Sequence, residues 1–122
     1  MWRQRASQVS NAEIAVFKEL SARKLTEGMV TQHAFTLVWS EDGVHGTITD
    51  FYWHRYEYVV YLDGVQVHVK PNQSSKDVLV TKALIKRGKT VDRYTYKAPL
   101  TETRKVEICD LIQEKLGRFG YE

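Results

Sequence analysis

Five consecutive residues, Tyr58-Val59-Val60-Tyr61-Leu62, are β-branched, aromatic or leucine. A strand with one wet face alternates apolar and polar side chains, so a run without alternation predicts a central strand over Glu57 to Leu62, covered on both faces. Such a strand needs a layer of structure above it and another below. The flanking sequence supplies them. Ser10 to Leu25 has helical spacing, with Ile14, Phe17, Leu20, Ala22 and Leu25 as the expected apolar face. Ser10 and Glu13 match a capping box at its start, and Glu27-Gly28 is a turn at its end.

Val30 to Trp39 and Thr47 to Tyr52 read as strands joined through Ser40-Glu41-Asp42-Gly43, an antiparallel hairpin. Asp63-Gly64 is expected to interrupt the central strand as a turn, with alternation resuming over Val65 to Val69. Lys70-Pro71-Asn72-Gln73-Ser74-Ser75 reads as a polar loop. A helix over Lys76 to Arg87 follows, with Leu79, Val80, Ala83 and Leu84 inward and Gly88 as its C′ residue. Thr90 to Tyr96 is a strand and Thr101 to Leu116 a last amphipathic helix. The order α-β-β-β-(β)-α-β-α implies an α/β fold of mixed sheet. A strand-helix-strand crossover near the end makes one pair parallel, and helices cover both faces.

With 122 residues, 43% hydrophobic and 27% charged, the chain reads as one globular domain over 1–122, with 1–9 a flexible arm. No apolar run reaches the roughly 20 residues of a membrane span, and Met1-Trp2-Arg3-Gln4-Arg5 lacks a signal-peptide core. A cytoplasmic protein with no membrane partner is expected. A single cysteine, Cys109, excludes an internal disulfide and a multi-cysteine zinc site; its apolar neighbours Val106, Ile108, Leu111 and Ile112 predict burial. The net charge of +3 permits a nucleic-acid partner without requiring one.

The residues capable of chemistry concentrate between Thr49 and Asp77. Asp50, in a strand beside the central one, is an oxygen donor suited to Mg²⁺; its ordinary reading is a strand-end acid. His68 shares a strand face with Gln66 and, as a neutral imidazole, can take a proton from water. Asp77, in the first turn of the second helix, is where the helix dipole favours an acid. If it faced His68 it would fix that ring's tautomer. A capping box alone explains Glu13, and a hairpin turn alone explains Asp63-Gly64. His33, His45 and His54 have no evident carboxylate partner.

Taken in order, these residues form a pattern. Glu13 in a first helix, Asp50-Phe51, Val59-Val60-Tyr61-Leu62-Asp63-Gly64, His68, Asp77 and Gly88 resemble the very-short-patch-repair endonucleases and EDxHD homing endonucleases of the restriction-endonuclease-like, PD-(D/E)XK superfamily. The resemblance spans Ser10 to Leu116. It implies a restriction-endonuclease-like core and a metal-dependent endodeoxyribonuclease using Mg²⁺ or Mn²⁺. By position, Asp50 would be the metal-binding carboxylate, and Leu62 would offer its backbone carbonyl, with Asp63 a secondary ligand. His68 would be the general base, Asp77 its orienting partner, and Glu13 would act through the metal's water shell. Tyr61 stands where many relatives carry an acid, and the repair enzymes' zinc ligands are absent.

Cations follow the proposed site: Lys70, Lys76, Lys82, Lys86, Arg87, Lys89, Arg93 and Lys97. Lys70 and Lys76 flank the loop between His68 and Asp77 and are expected to hold DNA phosphates, with Arg3 and Arg5 of the amino-terminal arm. Lys82, Lys86 and Lys89 read as a solvated helix face. Tyr52, Trp53, Tyr56 and Tyr58 read as packing rather than base-stacking residues. No sequence-reading module is present, so target choice would need a homodimer, a partner or a separate recognition domain. The alternative is a non-catalytic nucleic-acid-binding or assembly module on a degenerate nuclease fold; an RNA substrate is equally compatible.

Overall fold

The computed structural model describes residues 9–37, 46–65 and 71–121, with side chains throughout except at 71–76. Three helices and four strands follow one another as α1 (Asn11–Ala22), β1 (Met29–Thr36), β2 (Gly46–Trp53), β3 (Tyr58–Val65), α2 (Pro71–Lys86), β4 (Thr90–Lys97) and α3 (Glu102–Phe119). The strands form one sheet in the order β1-β2-β3-β4. β1 pairs antiparallel with β2 and β2 with β3, whereas β3 and β4 are parallel, with α2 between them in the chain. This is the mixed α/β sheet that the element order implies. No helix is long and apolar enough to cross a membrane among the described residues.

The central run is covered on both sides. Tyr58 and Val60 enter a core with Val16 and Leu20 of α1, Phe51 and Trp53 of β2, and Ile108, Cys109, Ile112 and Leu116 of α3. Val59 and Tyr61 face the other way, onto Val80 and Leu84 of α2 with Tyr52 and Leu37. Each helix is stopped and started by local chemistry. Ser10 Oγ accepts from the Glu13 amide and Thr101 Oγ1 from the Arg104 amide, while Gly88 and Gly120 follow their helices with positive φ.

Several sequence expectations are corrected. The buried face of α1 is Ala12, Glu13, Val16 and Leu20; Ile14 and Phe17 are exposed, Ala22 lies outward, and Leu25 packs from the turn after the helix. The helix is rotated to present Glu13, a residue that an apolar count places outside. β3 does not break at Asp63-Gly64 but continues to Val65, paired with β4 throughout. Gly64 is there for close approach: a Cβ would meet the Tyr96 hydroxyl at 3.2 Å and its ring carbon at 3.3 Å. α2 begins at Pro71, so the expected loop is the first turns of the helix, since proline needs no amide partner at a helix start. Asp77 is therefore beyond the first turn, and Leu79 is exposed. β1 spans Met29–Thr36 and Leu37 lies past its end, while the rest of the expected strand at 38–39, the expected turn at 40–43 and the alternation at 66–69 lie outside the described residues.

Trp53 ties the α1–β1 turn to the sheet, its indole N–H donating to the Leu25 carbonyl at 2.9 Å while its ring stacks on Tyr58 at 5.4 Å. Trp53→Phe keeps an aromatic ring but leaves a buried carbonyl without its donor. Urea denaturation should show a loss of about 1–3 kcal/mol for this variant; unchanged stability would mean that the indole bond contributes nothing to the fold.

Candidate active site

Two irregularities in the sheet create the site. The β2–β3 ladder pairs Trp53 with Tyr58, Tyr52 with Val59 and Phe51 with Val60, and ends there. Beyond this point β2 stays with β1 as far as Gly46, and β3 stays with β4 as far as Val65. The sheet forks. Asp50 sits inside β2 at the mouth of the fork, and its Oδ2 accepts the Leu62 amide at 2.6 Å. A carboxylate thus takes the donor that a continued ladder would have paired with backbone.

The second irregularity lies opposite, in β1. Gln32 has φ +52° and drops out of the ladder, which passes from Thr31–Phe51 to His33–Thr49. A period-two strand puts odd-numbered residues on one face. Here Met29 packs against the α1–α3 core, whereas Phe35 and Leu37 pack on the α2 side. The left-handed residue reverses the pleat. Gln32 Nε2 then donates to both Glu13 oxygens at 2.8 Å. Glu13 forms only the amide half of the expected capping box; its carboxyl is committed to Gln32 and lies near enough to Asp50 to raise that carboxyl.

Three of the sequence candidates are therefore brought together: Glu13 from α1, Asp50 from β2 and the Leu62 backbone from β3. Leu62 meets Asp50 through its N–H. Burial, more than any neighbour, pushes the Asp50 carboxyl up to about 8; Glu13 and Asp63 add to the rise, while the Leu62 amide opposes it. Asp63 lies close enough for its charge to be felt by Asp50, and Asp77 by Asp63. Burial raises the Asp63 carboxyl, against the pull of Arg93.

Arg93 was legible in the sequence only as one cation among eight. It lies over the Tyr61 ring, with 3.9 Å from guanidinium carbon to centroid, and pairs with Asp63 at 3.3 Å. Tyr61 points its hydroxyl to Thr47 Oγ1 at 2.8 Å on the α2 side. Gln32 gave no signal, because a glutamine in a strand reads as solvent-facing and nothing in its side chain demands positive φ.

His68, Lys70, Arg3, Arg5 and the Lys76 side chain lie outside the described residues. Lys82 and Lys86 are exposed, as a solvated face requires, but Lys89 follows the helix and pairs with Glu57 at 2.7 Å. His33 and His54 lie 5.1 Å apart in an aromatic group with Phe35 and Tyr52, and among the described residues neither forms a salt bridge with a carboxylate. Among the described residues no three His, Cys, Asp or Glu side chains converge to hold a metal ion by themselves. Cys109 is buried in the α1–α3 core, where burial lifts its thiol to about 11. No family model, curated protein or solved structure matches the chain.

An unfolded chain holds Asp50 at the ordinary value of about 4, and folding raises it. The native state therefore binds the proton more tightly. The stability this confers is complete below about pH 4 and is lost as pH rises toward the folded value of about 8. Asp50→Asn keeps the acceptor for Leu62 and removes the titration. Thermal unfolding should show the variant more stable than the parent, with the advantage growing from pH 5 to pH 8.5 to an order of a few kcal/mol. A pH-independent difference would show that Asp50 is not a raised carboxyl.

Proposed function

We propose that the protein is a metal-dependent endonuclease of the EDxHD type on a restriction-endonuclease-like core, hydrolysing DNA phosphodiesters. One observation carries the reading: a carboxyl from α1 and a carboxyl from β2 meet in the fork between β2 and β3, beside the backbone of Leu62. Supporting it are the α-β-β-β-α-β-α order and the parallel β3–β4 pair, which agree with the order expected of such a core. Nothing in a packed domain requires two carboxyls close together in a largely buried position, where ionisation is disfavoured. Perturbed carboxyls cluster at functional sites.

The donor set suits a hard cation, since Mg²⁺ takes one or two carboxylates and keeps several waters. Asp50 and the Leu62 carbonyl would hold it, with Asp63 secondary. When bound, the ion supplies Lewis-acid polarisation of a phosphoryl oxygen and neutralises charge developing there. The chain's own groups do the rest. His68 removes the proton from the attacking water, and Asp77 accepts from the second ring nitrogen and fixes the tautomer. Glu13, held on both oxygens by Gln32, accepts from water at the site. Lys70 and Lys76 hold flanking phosphates, giving salt-sensitive affinity indifferent to sequence.

The wild-type protein should nick supercoiled plasmid in Mg²⁺ or Mn²⁺, and Asp50→Asn should abolish nicking and Mn²⁺ binding together. His68→Ala should lose about 10²–10⁴-fold in rate with an unchanged unfolding midpoint. Cation binding has to displace the proton held at Asp50, so Mn²⁺ affinity should rise with pH up to about 8. DNA binding without cleavage in either metal would favour the non-catalytic module, and cleavage confined to RNA would reassign the substrate.

A further inference from the structure

Arg93 is built differently from Arg23, whose side chain is exposed to a similar extent. Arg23 closes on its partners at ion-pair distance, 2.9 Å to Glu19 and 2.7 Å to Asp110. Arg93 is anchored firmly at one atom: Nε donates to Thr81 Oγ1 on α2 at 2.8 Å. Its terminal nitrogens are held loosely, Nη1 at 3.3 Å from each Asp63 oxygen and Nη2 at 3.5 Å from the Asp77 carbonyl. Charge-assisted N–H to carboxylate bonds close to about 2.7–2.9 Å. A guanidinium whose plane is fixed by the Tyr61 ring and by Thr81, yet whose outer edge makes only long contacts, has donors to spare.

The charge balance says what they are for. Asp50 at the fork feels the charge of Glu13 and Asp63, and Asp63 that of Asp77. An anionic substrate approaching these acids needs a counter-charge, and among the described residues Arg93 is the cation paired with one of them, Asp63. Its fork of N–H donors matches the paired oxygens of a phosphate.

We propose that Arg93 is a catalytic residue of the nuclease, exchanging Asp63 for a non-bridging oxygen of the scissile phosphodiester and stabilising the charge that develops there. The inference rests on the nuclease reading above. Releasing Asp63 involves only loose contacts, so the exchange loses little, while the Thr81 anchor and the Tyr61 ring keep the guanidinium in place. An arginine serving only the fold would affect stability; this one acts on the rate.

The test compares Arg93→Gln and Arg93→Lys with wild type. It measures single-turnover plasmid nicking in Mn²⁺, affinity for a short DNA duplex in Ca²⁺, thermal unfolding, and the Arg93 side-chain nitrogen resonances on addition of that duplex. The Gln variant should lose about 10²–10³-fold in rate, the cost of removing one charge-stabilising donor, with duplex affinity within about threefold. Lys, keeping the charge without the fork, should recover about tenfold of that loss. The terminal nitrogen resonances should shift on duplex binding. If Arg93→Gln does not fold, Arg93→Lys decides: a wild-type rate with unmoved resonances overturns the proposal. Wild-type cleavage with the Gln variant within about threefold of it sinks the Arg93 role alone. A wild-type protein that neither binds nor cleaves DNA in either metal sinks the nuclease reading, and this proposal with it.

Discussion

The hydrogen bond from the Leu62 amide to the Asp50 carboxyl lets the sheet divide without leaving a backbone donor stranded. β3 cannot follow both β2, which stays with β1, and β4, which pairs with it along its whole length. Where strands part, an amide that faces no carbonyl costs about 1–3 kcal/mol if buried unpaired. A carboxyl set in the gap satisfies it, and does so with a group that can also bind a cation. Gln32 answers the same problem from the other edge, leaving the ladder and spending its side-chain amide on Glu13.

The arrangement is held against its own electrostatics. Two carboxyls close together, with a third and fourth nearby, oppose ionisation in a largely buried site. The stability this sacrifices is offset by the two cores that sandwich the sheet, Trp53 and Tyr58 with α1 and α3 on one side, Tyr61 with Val80 and Leu84 on the other. Functional sites are often less stable than their scaffold for this reason. Of these four acids only Asp63 has a cationic partner among the described residues, and that pairing is long, at 3.3 Å.

The order of elements was legible because each carries its own period. The apolar run of β3, the capping residues Ser10 and Thr101 and the terminating Gly88 are local signals, and the structure uses each as expected. Local signals failed where a distant contact outweighed them. α1 is turned away from its Ile14–Phe17 stripe because Ala12, Val16 and Leu20 are the apolar residues that pack inward, and Glu13 goes under the sheet with them. Asp63-Gly64 reads as a turn, yet it is strand, since the missing Cβ makes room for the Tyr96 ring rather than for a bend. Residues 70–75 read as a polar loop, but Pro71 already starts the helix.

The sequence by itself determined the alternation of helices and strands, the doubly covered central strand and the candidate acids Glu13, Asp50 and Asp63, because periodicity and side-chain type are properties of neighbouring residues. Only the tertiary structure decided that Glu13 meets Asp50, that Gln32 turns the pleat and that Arg93 answers Asp63. Those contacts join residues 19 to 37 positions apart, and their geometry depends on where a sheet forks, which no local pattern encodes.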